Sequence, residues 1–307
     1  MSILLATPGR DSTGLAASLR QQAPSLDVRV WPDTGPLDEI RFAVCWQQPP
    51  GLLRTLVNLQ AVCSLGAGVE HVLADPDLPA GMPVGRLAGK RLASDMAGYL
   101  LAQVLGHWRG LARFRDHQAR GEWRPWAPPD PPRIGLLGSG HMARPAARTF
   151  QALAIPVRAF NRSGRALGTV EIESGRDGLL ALAQWSDYLI CLLPLTRQTR
   201  GILSAELFAH MRRGSVLVNV GRGAHLVESD LLAALEGNRP ATAILDVFDQ
   251  EPLPSQHPFW NHPKVHITPH CASITGDQEA ARLIIESYRR VAAGRAPLDA
   301  VNRTLGY

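Results

Sequence analysis

Short, almost wholly apolar runs of four to six residues recur along the chain, separated by longer polar or amphipathic stretches. In the first part they fall at 3–6, 28–31, 42–46, 61–65 and 84–87, and later at 134–137, 157–160, 188–193, 215–220, 243–247 and 265–268. A strand exposed on one face alternates apolar and polar positions, whereas a strand covered on both faces stays apolar throughout. These runs are of the second kind, so they predict an α/β protein in which parallel sheets are covered by helices. Helices are expected at 144–150, 204–211 and 229–235, the last opening in an acidic capping environment and closing at Gly237. A final helix over about 278–293 sets Ala281, Ile284, Ile285, Tyr288 and Val291 on one face and is expected to return to the first part of the chain.

Two segments interrupt the alternation. From Ser94 the chain reads as helix without a break to about Ala119, with a first half apolar nearly all round, as suits a helix buried between two bodies. Residues 123–132 hold five prolines and form a helix-breaking linker. With 307 residues the chain exceeds one ordinary domain and suits two. The division expected is 1–95 with 275–307 as one domain and 96–274 as the other.

The run at 134–137 leads into Gly138-Ser139-Gly140-His141-Met142-Ala143 and then helix-forming sequence. That order of strand, glycine turn and helix suits a dinucleotide pyrophosphate. The first glycine permits the turn, the second lets backbone approach phosphate, and a third small residue, here Ala143, lets helix pack on strand. Pro145 departs from the pattern by deleting a backbone donor near the phosphate end, and a local adjustment is expected. About twenty residues on, an NAD enzyme places Asp or Glu against the ribose 2′-hydroxyl. This chain has Asn161-Arg162-Ser163-Gly164-Arg165 there. With no carboxylate to repel a 2′-phosphate, and Arg162 offering a planar fork to hold one, the expectation is NADP(H), preferred over NADH.

Composition narrows the partners. A net charge of +5 is modest and its basic residues are scattered, so nucleic acid is not implied and small anions are enough to explain it. Cys45, Cys63, Cys191 and Cys271 lie far apart, and three of them sit in apolar runs, which reads as buried thiols of a reducing compartment. The apolar N-terminus is too short for a signal peptide and lacks a basic leader, and no stretch reaches membrane-spanning length. A cytoplasmic protein is expected. His262, His266 and His270 are spaced as metal ligands on a helix would be, but Pro263 and Pro269 preclude that helix, so no metal is expected.

A second glycine turn, Leu65-Gly66-Ala67-Gly68, follows a strand, and bare amides there can hold a carboxylate. Three polar residues stand at or past strand ends in the second half: Arg222 in Val220-Gly221-Arg222-Gly223, Glu251 after Asp246-Val247-Phe248, and His270 after Thr268-Pro269. Hydride transfer to a 2-keto acid builds negative charge on the carbonyl oxygen, so it needs a proton donor there and a cation for the carboxylate. A His beside a carboxylate suits the first task and Arg the second. His270 is therefore the expected acid/base, Glu251 its partner and Arg222 the substrate anchor.

These blocks, with 186–199 including Leu193, Pro194 and Thr199, resemble the D-isomer-specific 2-hydroxyacid dehydrogenase family. Trp46, the turn at 65–69, Asn161-Arg162-Ser163 and the ending Val301-Asn302-Arg303 are similar to the branch of that family that acts on glyoxylate and hydroxypyruvate. The resemblance implies two Rossmann-like, doubly wound domains with a cleft between them, 96–274 binding NAD(P) and the other, flavodoxin-like, binding substrate. It implies a homodimer built on the nucleotide-binding domains and the linking helix. It implies NADPH-dependent reduction of glyoxylate to glycolate and of hydroxypyruvate to D-glycerate. By the same resemblance, Gly138, Gly140, His141, Met142, Asn161, Arg162, Ser163, Leu193, Pro194, Thr199, Val220 and Gly221 line the cofactor, and Asp246 faces the carboxamide of the nicotinamide. Leu65 belongs to the substrate turn, Gly66 and Ala67 offer amides to the substrate carboxylate, and Trp46 walls a small pocket. Lys90-Arg91-Leu92-Ala93-Ser94-Asp95 matches no family block. The competing readings are a reductase of a bulkier 2-keto acid and a nucleotide-binding sensor or scaffold without turnover.

Overall fold

The computed structural model describes residues 2–307, which divide into two compact units, Met1–Arg91 with Thr275–Tyr307 and Leu92–Ile274. The boundary falls inside a helix, between Arg91 and Leu92, four residues ahead of the expected position.

The first unit runs β1 (Ser2–Ala6), α1 (Thr13–Gln22), β2 (Asp27–Val30), β3 (Ile40–Cys45), α2 (Leu52–Thr55), β4 (Ala61–Ser64), α3 (Glu70–Leu73) and β5 (Val84–Arg86). Its five strands are all parallel, in the order β2-β1-β3-β4-β5. Ile3, Leu5, Phe42 and Val44 pack on one side with Leu15 and Leu19, while Leu4, Ala6, Ala43 and Cys45 pack on the other with Leu53 and Val72. Burial on both faces is why residues 3–6 of β1 and the end of β3 are apolar without a break, whereas the edge strand β2, Asp27-Val28-Arg29-Val30, alternates.

The second unit follows with α4 (Lys90–Trp108), α5 (Leu111–Ala119), β6 (Ile134–Leu137), α6 (Ala143–Ala152), β7 (Val157–Phe160), β8 (Glu171–Glu173), α7 (Gly175–Trp185), β9 (Tyr188–Cys191), α8 (Ala205–His210), β10 (Val216–Asn219), α9 (Glu228–Glu236), β11 (Thr242–Leu245) and β12 (Val265–Ile267). Its seven parallel strands are ordered β12-β11-β10-β9-β6-β7-β8, so the chain steps one way from β6 through β7 to β8 and the other way from β9 to β12. Where the direction reverses, between β6 and β9, the carboxyl ends of the strands leave a crevice for a ligand. Met96, Leu100 and Val104 of α4 join Ala147 and Phe150 of α6 over one face of this sheet, and α7, α8 and α9 cover the other through Leu182, Phe208 and Leu231. Helix α10 (Asp277–Ala292) returns to the first unit, where Ile284 and Tyr288 share a core with Leu15 and Phe42.

Several local expectations are corrected. The long helix is two: the chain turns at Gly110, φ +65°, in the left-handed region where glycine is favoured, and a Cβ there would meet the Trp126 ring at 3.0 Å. Nor is α4 buried all round, since Ser94, Gly98 and Ala102 are exposed. Helix α9 opens with Glu228 and Asp230 in its first turn and closes at Gly237 as expected, but no side chain caps it; Asp230 accepts from the Ala205 amide at 2.8 Å and so caps α8. Strand β8 has no apolar run because it is an edge strand held by charge, with Arg158 of β7 2.9 Å from Glu171. Three cysteines are buried as expected, but Cys271 is exposed.

Candidate active site

Every strand of the second unit that carries a predicted site residue ends on the same edge of the sheet, because all its strands are parallel. The end of β6 delivers Gly138, that of β7 Asn161, that of β9 Leu193 and Pro194, that of β10 Val220 to Arg222, that of β11 Asp246, and that of β12 His270.

Around the glycine turn the backbone fits a dinucleotide. Gly138 has φ +117°, and a Cβ would approach the Leu192 carbonyl oxygen to 3.0 Å. Gly140 faces open space, with nothing within 4 Å of where a Cβ would stand. No side chain caps α6, whose N-cap is Met142, and the Arg144 amide in its first turn donates back to the Gly140 carbonyl at 3.2 Å. Pro145 is the third residue of α6, and the helix runs through it unbroken.

The next turn is built by Asn161. Its Oδ1 accepts from the Ser163 amide at 3.0 Å and the Arg165 amide at 3.1 Å. Its Nδ2 donates to the Ser139 hydroxyl at 2.9 Å, which ties this turn to the glycine turn. Arg162 and Ser163 are exposed on it. Past β9, the Thr199 hydroxyl accepts from the Thr196 amide at 2.8 Å and donates to the Pro194 carbonyl at 2.7 Å, so it is spent on closing its own loop.

The polar residues follow β10, β11 and β12 on the same edge of the sheet. His270 Nδ1 lies 2.7 Å from Glu251 Oε2, and the Phe248 amide donates to Glu251 Oε1 at 2.9 Å. Burial alone would raise the Glu251 pKa, but the His270 hydrogen bond, the Phe248 amide and the charges of His270 and Arg222 outweigh it and hold the carboxyl below its ordinary value. Arg222 is fixed through its backbone: its carbonyl accepts from Asn219 Nδ2 at 3.1 Å and its amide donates to His225 Nδ1 at 3.0 Å. One Arg222 amino group donates to the Gly221 carbonyl at 2.7 Å.

Asp246 is 1% exposed, and its carboxylate accepts from the Thr268 hydroxyl at 2.6 Å and from the amides of Cys271 and Ala272, each at 3.0 Å. Three of about four acceptor positions on a carboxylate are thus used inside the protein, so holding the His270 loop is its main structural work. Since Thr268 donates to Asp246, Tyr99 of α4 must donate to Thr268, at 2.7 Å. Burial pushes the Tyr99 phenol up to about 12, which keeps that donor protonated.

In the first unit, Trp46 follows β3 and the turn 65–68 follows β4, again at carboxyl ends of parallel strands. A Cβ on Gly66 would meet Trp46 Cζ3 at 2.8 Å, so the indole lies against bare backbone. The Gly66 amide donates to Ser64 Oγ at 3.3 Å. The turn is closed by the Ser64 hydroxyl donating to the Gly68 carbonyl at 2.6 Å. Leu65 is buried, and its amide donates to the Cys45 carbonyl.

Asn219 and His225 were not among the residues the sequence singled out. Their importance comes from hydrogen bonds to the Arg222 backbone, for which an Asn three residues before it and a His three after leave only a weak trace.

Residues 101–272 match the family model described as the NAD binding domain of D-isomer specific 2-hydroxyacid dehydrogenases. Over its whole length the chain is 39% identical to all of the glyoxylate/hydroxypyruvate reductase A of Serratia proteamaculans. It superposes, with a TM-score of 0.93 and 35% identity over 100% of this chain and 99% of the other, on a D-isomer specific 2-hydroxyacid dehydrogenase from Xanthobacter autotrophicus crystallised with NADPH. A glyoxylate/hydroxypyruvate reductase from Sinorhizobium meliloti, described as NADPH-dependent and crystallised with NADP and sulfate, gives a TM-score of 0.92 at 32% identity with both chains fully covered.

Proposed function

Because the chain belongs to the D-isomer-specific 2-hydroxyacid dehydrogenase family, we propose that this NAD(P)-dependent oxidoreductase uses NADPH to reduce small 2-keto acids, glyoxylate to glycolate and hydroxypyruvate to D-glycerate. The observation that carries the reading is the 2.7 Å pair of His270 Nδ1 and Glu251 Oε2 on the edge where Arg222 and the glycine turn also stand. When bound, the cofactor supplies the hydride. His270 holds the proton for the keto oxygen on Nε2, because Nδ1 is turned to Glu251. Glu251 orients the ring and balances the imidazolium charge before the proton leaves. Arg222 binds the substrate carboxylate with its guanidinium fork. In the first unit, the Gly66 and Ala67 amides are assigned to a substrate carboxylate and Trp46 to the limit on substrate size. Arg162 is assigned to the 2′-phosphate, in keeping with the NADPH and NADP bound by the two structural relatives.

The test is loss of cofactor absorbance with glyoxylate, hydroxypyruvate, pyruvate and phenylpyruvate, each with NADPH and with NADH. Rapid oxidation of NADPH confined to the two small hydroxy-acid precursors is expected. His270→Ala should abolish turnover while NADPH still binds; retained turnover would remove His270 from the mechanism, and equal rates with phenylpyruvate would remove the small-substrate assignment.

The same reading includes a homodimer in a reducing, cytoplasmic compartment. Supporting the dimer, α5 buries none of its residues, Leu111 and Phe114 are exposed on it, and Trp123 just beyond is 97% exposed. Light scattering should give twice the 33.3 kDa chain mass, and Phe114→Glu with Trp123→Glu should give the monomer. An unchanged dimer would place the interface elsewhere. No helix among the described residues is long and apolar enough to cross a membrane.

A further inference from the structure

One fully buried titratable side chain of the second unit has no part in the chemistry above. His225 closes the 3-10 turn Gly223–His225 directly after Arg222, and its side chain is wholly shielded from solvent. Its Nδ1 lies 3.0 Å from the Arg222 amide nitrogen, and its Nε2 lies 3.3 Å from the Pro194 carbonyl oxygen. An amide can only donate, so Nδ1 must accept and carry no hydrogen. The ring proton is then on Nε2 and points at Pro194. In return the His225 amide donates to the Arg222 carbonyl at 3.1 Å. The ring thus joins two strand-end loops, the one after β9 and the one after β10.

We infer that His225 is a positioning residue for Arg222: its neutral, Nε2-protonated ring fixes the backbone from which the guanidinium reaches the substrate carboxylate. The inference rests on Arg222 being the substrate anchor. Two further observations favour a built device over an ordinary core histidine. A Cβ on Gly221 would come 2.9 Å from His225 Nδ1 and 3.0 Å from its Cε1, so the residue before Arg222 is small where the ring needs the room. Asn219 grips the same segment from the other side, its Oδ1 accepting from the Gly221 amide at 3.2 Å and its Nδ2 donating to the Arg222 carbonyl. Together Asn219 and His225 satisfy both backbone polar groups of Arg222, and one amino group of its side chain is held on the Gly221 carbonyl of the same segment. A misaimed guanidinium weakens substrate binding while leaving the hydride and proton steps able to proceed at saturation.

The test compares Arg222→Ala, His225→Ala, His225→Asn and His225→Gln with the unaltered protein. For each, kcat and KM for glyoxylate, the dissociation constant for NADPH and the melting temperature are measured. Asn places an acceptor near where Nδ1 stands and can still meet the Arg222 amide, whereas Gln reaches the Nε2 position and can meet only Pro194. His225→Ala is expected to raise KM for the keto acid by about tenfold or more, with kcat and NADPH affinity changed by less than about threefold. Asn should recover most of KM and Gln should not. A general loss of packing would instead lower kcat, cofactor affinity and melting temperature together, with no difference between Asn and Gln, and would overturn the inference. So would unchanged KM in His225→Ala beside a raised KM in Arg222→Ala. If Arg222→Ala itself leaves KM unchanged, the anchor role fails and the positioning role falls with it, which separates the two failures. Should His225→Ala fail to fold, the Asn and Gln pair still decides. Independently, nitrogen-15 spectra of histidine-labelled protein should show one buried ring protonated on Nε2 and losing that signature in His225→Asn; a ring protonated on Nδ1 would refute the geometry.

Discussion

Replacing Gly223 by Ala should damage two halves of the candidate site at once. An added Cβ would lie 1.8 Å from the Phe248 carbonyl carbon and 2.1 Å from both the Phe248 oxygen and the Asp249 nitrogen. Ordinary non-bonded contact between such atoms is about 3.5 Å, so the turn after β10 and the backbone after β11 must part by roughly 1.5 Å. No flexible side chain can absorb this, because the obstruction is a peptide group. Its neighbour Phe248 is 7% exposed and packs against the fully buried Phe259. The Phe248 amide holds Glu251, which holds His270, and Gly223 directly follows Arg222. A displacement of about 1 Å at catalytic groups costs on the order of a hundredfold in rate, or about 2.7 kcal/mol. Overpacking of this kind costs about 1–3 kcal/mol of stability, a melting shift of several degrees. The assay is kcat/KM for glyoxylate with NADPH, beside calorimetry. Gly140→Ala is the control: its Cβ meets nothing in the protein, so stability should hold while NADPH binding weakens. A Gly223→Ala protein with kcat/KM within about threefold of the original and an unchanged melting temperature would refute the account of how the two loops are packed.

Two further outcomes are expected. Arg162→Ala should erode the preference for NADPH over NADH by about tenfold or more, since an Arg–phosphate contact is charge-assisted; an unchanged ratio of kcat/KM values would assign the 2′-phosphate elsewhere. Glu251 has its pKa lowered in the folded protein from the usual 4.5, so its stabilising contribution is complete above that value and is lost as pH falls through the lowered one. The melting temperature of the unaltered protein should therefore exceed that of Glu251→Gln at pH 7, with the gap closing below about pH 4.5; a gap that stays constant down to pH 3 would contradict the assigned linkage.

The sheets were legible because Leu4 and Leu5, or Leu136 and Leu137, face opposite layers and are both apolar. Strand β8 was not, because an edge strand paired by Arg158 to Glu171 and Glu173 hides its pairing in charges that look like loop. The break at Gly110 was missed for a different reason. The only local signal is Gly110 itself, easily passed over inside a helical pattern; the Trp126 ring against it and the bond from Trp108 Nε1 to the Pro129 carbonyl fix the turn from sixteen and twenty-one residues away. At the site, Arg222, Glu251 and His270 could be read from their places after strands, since parallel strands put all such residues on one edge. Asn219 and His225 could not, as hydrogen bonds to another residue's backbone leave no periodicity or charge pattern.

His270, the proposed acid/base, sits on a loop that the strand end beneath it holds in one conformation. Its φ is +51°, a left-handed conformation that costs a non-glycine residue about 1 kcal/mol or more. A glycine would remove the cost and also the imidazole that pairs with Glu251. What offsets it is Asp246. Its carbonyl takes the His270 amide at 2.8 Å, and its carboxylate takes Thr268 before the histidine and Cys271 and Ala272 after it. Four hydrogen bonds to one buried residue, two of them from amides to a carboxylate, are each worth about 1 kcal/mol or more and together exceed the backbone cost. The conformation is therefore over-determined by the strand end beneath it, and the ring is left one task, to meet Glu251 with Nδ1 and present Nε2. In the proposed mechanism an acid/base pair held in this way needs no ordering in each turnover, because folding has already done it.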